Sequence, residues 1–379
     1  MTLRNLTLLL LLAAAPMAGQ QPQIVTTGLQ GPNKLIVTPG GNLLVSETHV
    51  NLNSGRVSYV TRSGVRSTLL DGLPSAPEVT GGGSGPTAMA LRDRSLYLAM
   101  GGGDTERLVP NSPAHQANPA GSSSALFDTV LLFVFSRDLD PSPGSFHMTP
   151  THLATLVDGG EVDIAGDGGG SVRVSVLARF PVSEAIAGPL VNRFSNPWGL
   201  ALSADGKDLW MNDASADALL RIDTATGRWR RVARFAGIRN PTPVGPPFVD
   251  AVPTSVRTYG NQVLVSFLTG FPFAPGLARV VAVNPDGSTE PFIFGLTSAV
   301  DVLHRIRPNG QPQFYVLEFS ADQSAAAPPP GRLLRYNTPA AEVAATGLIT
   351  PVSLALDSVN QELYILELRG QILRLPLAP

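Results

Sequence analysis

QIVTTGL, Gln23 to Leu29, and EVAATGL, Glu342 to Leu348, stand near opposite ends of the chain and close on the same Gly-Leu. Both place a proline four residues past the glycine, Gly28 to Pro32 and Gly347 to Pro351. The second copy ends a repeating unit, whereas the first precedes every unit. Six segments share one layout: a short apolar run opening at Pro or a small residue, a Gly/Asn/Asp turn, then a strongly apolar run. They are GPNKLIVTPGGNLLVSE (31–47), GPTAMALRDRSLYLAM (85–100), NPWGLALSADGKDLWMND (196–213), VPTSVRTYGNQVLVSF (252–267), SAVDVLHRIRPNGQPQFYVLE (298–318) and TPVSLALDSVNQELYILE (350–367). Each reads as two strands around a hairpin turn.

A third run follows in every unit: GRVSYVTR, TVLLFVFSR, ALLRID, ARVVAV, GRLLRY and GQILRLP. A fourth follows in five of them: RSTLLDGL, HLATLVDG (152–159), RRVARFAG, EPFIFGL and EVAATGL. The sixth unit has none before Pro379, and QIVTTGL is the missing copy. Four-stranded units repeated about an axis make a β-propeller. The expectation is an all-β, six-bladed propeller of four-stranded blades, closed by Gln23–Leu29 as the outer strand of the last blade. That closure covers a strand edge that would otherwise be bare. Blades should begin near 31, 85, 196, 252, 298 and 350. The second unit is the long one. Its segment 104–126 is polar and rich in Pro, Gly and Ser, and no further paired-strand signature follows it. The stretch 104–194 therefore reads as an insertion, with SVRVSVLARF (171–180) as an elaborated outer strand. Blades pack face on face, so runs such as LLVSE and LYILE are apolar without clean alternation.

Composition narrows the partners. Of 379 residues 43% are apolar and 15% charged, with a net charge of −2, so no basic field points to nucleic acid. Cysteine is absent, which removes disulfides, lipoprotein attachment and thiolate metal sites. Arg4, the apolar run Leu6–Ala15 and the small residues after it read as a signal peptide over 1–19. The apolar run falls short of the ~20 residues that span a bilayer. The expected product is one domain, 20–379, secreted or periplasmic, with no membrane span after signal removal.

The wording becomes specific from Ser195 onward. SNPWGLALSADGKDLWMNDASADALLRID (195–223), VPTSV (252–256) and LTGFPFAPGLARVVAVNPDGS (268–288) resemble the ScyD/ScyE family. The resemblance covers about 195–337 and implies a secreted or periplasmic six-bladed propeller, related in architecture to NHL-repeat and gluconolactonase-type proteins. It implies no catalytic residues.

Loops that leave the second strands crowd one face: 101–126, 267–277 and 319–330. A small-molecule or protein ligand is expected on that channel face, with Trp198, Phe267, Phe271 and Phe273 as candidate contacts. The residues ending the second strands are Glu47, Met100, Asp213, Phe267, Glu318 and Glu367. Four are acids at equivalent positions. With Asp301 they form a candidate ring of hard oxygen ligands for Ca2+ or Mg2+, though acids at strand ends also cap turns. His49 is the candidate general base. Three functions follow: a ligand- or partner-binding propeller, a metal-dependent lactonase-like hydrolase or lyase, and a quinone-dependent sugar dehydrogenase. GGGSG (81–85) and GDGGG (166–170) lack the strand-to-helix setting of a phosphate loop, and no G-x-S-x-G or H-E-x-x-H occurs.

Overall fold

The computed structural model describes residues 21–379 except 80, 112–114, 186–191, 338–339 and 378–379. The expected signal peptide, 1–19, lies outside the described residues. Six antiparallel sheets of four or five strands form the blades. Their inner strands are Pro32–Val37, Pro86–Arg92, Pro197–Leu202, Pro253–Tyr259, Ala299–Ile306 and Pro351–Asp357, and each lies at the end of its sheet. Gln23–Thr26 is the outermost strand of blade 6, paired antiparallel with Gln371–Pro376 through Ile24 opposite Leu373. No helix among the described residues is long and apolar enough to cross a membrane.

Blade 2 departs from expectation. HLATLVDG is not its fourth strand; Pro150–Val157 is a helix. The Thr149 side chain accepts from the His152 N–H at 3.2 Å, and His152 Nδ1 accepts from the Thr149 N–H. Pro150 follows the cap, where its missing N–H costs nothing. Leu153 and Leu156, three apart, bury one face of the helix between blades 1 and 2. The fourth strand is Ser171–Arg179, and Val162–Ala165 adds a fifth. Blade 1 gains a fifth strand too, Phe146–His147, parallel to Arg66–Leu73.

The core is six wedges, one between each pair of neighbouring blades. Alternation along a strand sends successive side chains to opposite neighbours. In blade 1, Leu43 and Val45 face blade 6, whereas Leu44 faces blade 2. In blade 6, Leu363 and Ile365 face blade 5, whereas Tyr364 and Leu366 face blade 1. This is why the strands read as unbroken apolar runs. Leu29 continues from the closing strand into the last wedge, and its N–H donates to Gly370 O at 3.1 Å. Leu29→Ala should cost about 2–5 kcal/mol in urea unfolding. Ile24→Ala, whose side chain is 62% exposed, should cost little, which separates wedge packing from strand pairing.

Asp140, in the DLD of the long unit, clasps blade 2 to blade 1. It accepts from Thr38 Oγ1 at 2.7 Å, Asn42 Nδ2 at 2.8 Å, Gly40 N at 2.7 Å and Tyr59 OH at 3.1 Å. Burial alone would raise its carboxyl, but the Asn42, Thr38, Gly40 and Tyr59 donors outweigh burial and hold it below the usual value. A carboxyl depressed in the folded state contributes stability above its unfolded value, about pH 4, and that stability is lost as pH falls through the folded value. Asp140→Asn should therefore lower Tm at pH 7 and flatten the fall of Tm below pH 4, measured by calorimetry across pH.

Candidate functional site

Each inner strand starts beside the end of its second strand: Pro32 faces Glu47, Pro197 faces Asp213, Ala299 faces Glu318 and Pro351 faces Glu367. The four acids are thus equivalent, and each is buried. Each also binds the chain entering its own blade. Glu47 accepts from Gln30 N at 2.5 Å, from Arg56 Nε and Nη2 at 3.0 and 2.9 Å, and from the Ser58 hydroxyl. Glu318 accepts from Thr297 N at 2.6 Å and from the Arg332 guanidinium. Glu367 accepts from Ile349 N at 2.6 Å, Arg369 Nε at 2.8 Å and Gln371 Nε2 at 2.5 Å. Asp213 accepts from Asn196 N at 2.8 Å, Ala216 N at 3.0 Å and Ser195 Oγ at 2.7 Å. No three His, Asp or Glu side chains among the described residues gather as metal ligands would.

One residue past each inner-strand start the register slips, so Asn33, Thr87, Trp198, Thr254, Val300 and Val352 are bulged. Short polar groups at this level join each blade to the next. Ser46 Oγ donates to Thr87 O at 3.3 Å, Thr87 Oγ1 to Pro197 O at 2.6 Å and Asn212 Nδ2 to Pro253 O at 2.5 Å. Thr254 Oγ1 donates to Ala299 O at 2.9 Å, Leu354 N to Asp301 Oδ2 at 2.8 Å and Leu35 N to Ser353 Oγ at 3.3 Å.

Asp301 belongs to this deeper level, not to the ring of acids. Arg257 reaches it from blade 4 through Nε at 3.2 Å and Nη2 at 2.8 Å. Lys34 reaches across from blade 1, with Nζ 3.9 Å from Asp301 Oδ2 and 3.4 Å from Thr254 O. Burial would raise the Asp301 carboxyl, but Arg257, Lys34 and the Leu354 N–H outweigh it and hold the group below its usual value. Lys34 moves down: burial dominates and Arg257 adds to it, against the pull of Asp301. Two basic side chains thus share one carboxylate across the axis. Arg257 Nη2 and Nε are committed, the former also to Leu354 O at 2.8 Å, whereas Nη1 makes no hydrogen bond among the described residues.

On the side of the first hairpins, Arg257 of this knot lines a vestibule of about 330 Å3. All six blades wall it, through Val37, Leu91, Leu202, Thr258, His304 and Leu356. The His304 ring lies edge-on to Tyr259 at 5.1 Å, and burial, then Arg257, lowers its pKa. Asp301→Ala should cost about 3–5 kcal/mol in urea unfolding, because buried Lys34 and half-buried Arg257 would lose their carboxylate partner. Glu342→Ala, which breaks an exposed pair with Arg335, should cost less than about 1 kcal/mol.

The remaining candidates scatter over the opposite, loop-rich face. His49 Nδ1 accepts from Asn51 N at 2.9 Å, and its backbone bridges to Ser84. Trp198 is half-buried at its bulge. Phe267 is fully buried, edge-on to Phe235 at 4.8 Å with Arg279 over its ring at 5.5 Å. Phe271 is 55% exposed and meets Phe273 edge-on at 6.3 Å. Short two-stranded hairpins stand on the same face, such as Ile238–Arg239 with Phe248–Val249. Sequence reading missed Lys34 and Arg257. The available signal was a charged residue inside an apolar inner strand, in NKLIV and TSVRTY.

The fold defines the protein as a six-bladed β-propeller. No family model matches the chain, and no curated protein does. It is similar to a solved structure of unknown function from Bacteroides thetaiotaomicron at 10% identity and a TM-score of 0.49, over 94% of this chain and 72% of that one. It is also similar to a streptogramin B lyase at 11% identity and a TM-score of 0.45, over 93% and 96% of the two chains. The hydrazine synthase of Kuenenia stuttgartiensis matches at 13% identity and a TM-score of 0.44, over 90% and 75%. No reading of activity rests on these likenesses.

Proposed function

We propose that this chain is an exported ligand-binding propeller of the ScyD/ScyE kind, and that its ligand is a small organic anion held in the hairpin-face vestibule. The observation that carries the reading is Arg257, locked by two bonds to Asp301 and lining the vestibule. A guanidinium fixed in this way is preorganised for a carboxylate. Most of the residues lining it are aliphatic, but more of the surface that they show is polar than apolar, which suits a ligand that carries hydroxyl or carbonyl groups beside its anionic one. The hydrolase reading is weaker, because Glu47, Asp213, Glu318 and Glu367 direct their oxygens at N–H and guanidinium donors of their own blades.

Benzoate, indole-3-carboxylate and gluconate are suitable probes in a thermal-shift titration. At least one should raise Tm, by an amount that follows the logarithm of its concentration, and Thr258→Trp, which narrows the vestibule, should abolish the rise. Thr258 lines the vestibule and belongs to none of the wedges, so the fold should tolerate the change. No shift with any of the three acids would count against an anion-binding vestibule. A shift that survives Thr258→Trp but is lost in Phe271→Ala would move the site to the loop-rich face, where Phe271 and Phe248 stand exposed.

A further inference from the structure

Three buried oxygens without a hydrogen-bond partner among the described residues lie together on the loop-rich face: both carboxylate oxygens of Asp128 and Thr105 Oγ1. Asp128 is 1% exposed and Thr105 5%. They belong to the long connection between the second and third strands of blade 2, beside the entry to blade 3. The point where a side chain on Gly102 would begin lies 2.9 Å from Ser195 O, 3.5 Å from Thr105 Oγ1 and 3.7 Å from Asp128 Oδ1. A carbonyl, a hydroxyl and a carboxylate oxygen therefore face one small space, which the glycine keeps open. The Ser195 hydroxyl is bonded to Asp213 at 2.7 Å.

Burial, and then the negative charges of Asp213 and Glu106, push the Asp128 carboxyl up to about 9, and the Ser195 hydroxyl offsets only part of this. A buried carboxyl beside other acids and without donors is tolerated in two ways: it keeps its proton, or it meets a cation. The three converging atoms decide between them. A protonated acid could donate to that hydroxyl or carbonyl, yet the Asp128 and Thr105 side-chain oxygens stand unbonded among the described residues, and unbonded oxygens around one gap are what a hard cation takes alongside a carboxylate.

We propose that Asp128, the Thr105 hydroxyl and the Ser195 carbonyl form a calcium site, with water completing the coordination, that fastens the 101–128 connection of blade 2 to the entry of blade 3. This site is separate from the acids at the second-strand ends, which cap their own blades, and from the vestibule on the opposite face.

The test is calorimetric titration of the protein with CaCl2 after dialysis against chelator, together with Tm at increasing Ca2+. One ion per chain and a Tm that climbs with Ca2+ are expected. Asp128→Asn should abolish both, and its Tm without Ca2+ should not fall below that of the unchanged protein. Thr105→Val should weaken binding tenfold or more, and it carries the test if Asp128→Asn does not fold. No heat and no Tm shift at millimolar Ca2+, or unchanged Ca2+ binding in Thr105→Val and Asp128→Asn, would overturn the site. Organic acids and Ca2+ are titrated separately, so failure of either reading leaves the other standing.

Discussion

Six inner strands each turn an unpaired edge toward the same axis, because each lies at the end of its sheet. Bare strand edges need partners, and buried backbone groups need them most. The chain meets this demand with one bulge per blade and a belt of Ser, Thr, Asn and Asp groups that bond to the next blade's backbone. The belt fixes the spacing of the inner strands, and the wedges outside it fill the remaining volume. Closure at Gln23–Thr26 holds the ring at its outer rim, and the belt holds it at the centre.

The same constraint produces the charged knot. Where the belt crosses from blade 5 to blade 6, the bonding group is a carboxylate, and a buried carboxylate requires counter-charge. Arg257 supplies it through two hydrogen bonds to Asp301, and the Lys34 amine stands 3.9 Å away. Arg257 also lines a space walled by all six blades. The structural role of Arg257 and its proposed role in recognition therefore rest on one side chain.

On the opposite face the acids follow a different logic. A residue entering an inner strand leaves its N–H unpaired, and the acid at the end of the neighbouring strand accepts it. Gln30, Thr297 and Ile349 repeat this in blades 1, 5 and 6. Asp128 breaks the pattern, because it is buried without such an N–H. An acid relieved by donors stabilises the fold by itself, whereas an acid without them calls for an ion or a proton.

The sequence by itself determined the number of blades, the closing strand and the position of every inner and second strand, because hairpin turns and apolar runs are local and recur six times. It also placed Glu47, Asp213, Glu318 and Glu367 at equivalent positions, but equivalence in a repeat says nothing about where a carboxylate points. The helix at Pro150–Val157 was legible only from Thr149-Pro150 and the spacing of Leu153 and Leu156, a signal weaker than the repeat that favoured a strand there. Tertiary structure alone decided which groups meet across the axis. Lys34, Arg257 and Asp301 come from three different blades, and Asp128, Thr105 and Ser195 from segments joined only by folding. Contacts between residues so far apart in the chain depend on the ring's closing, which no local pattern encodes.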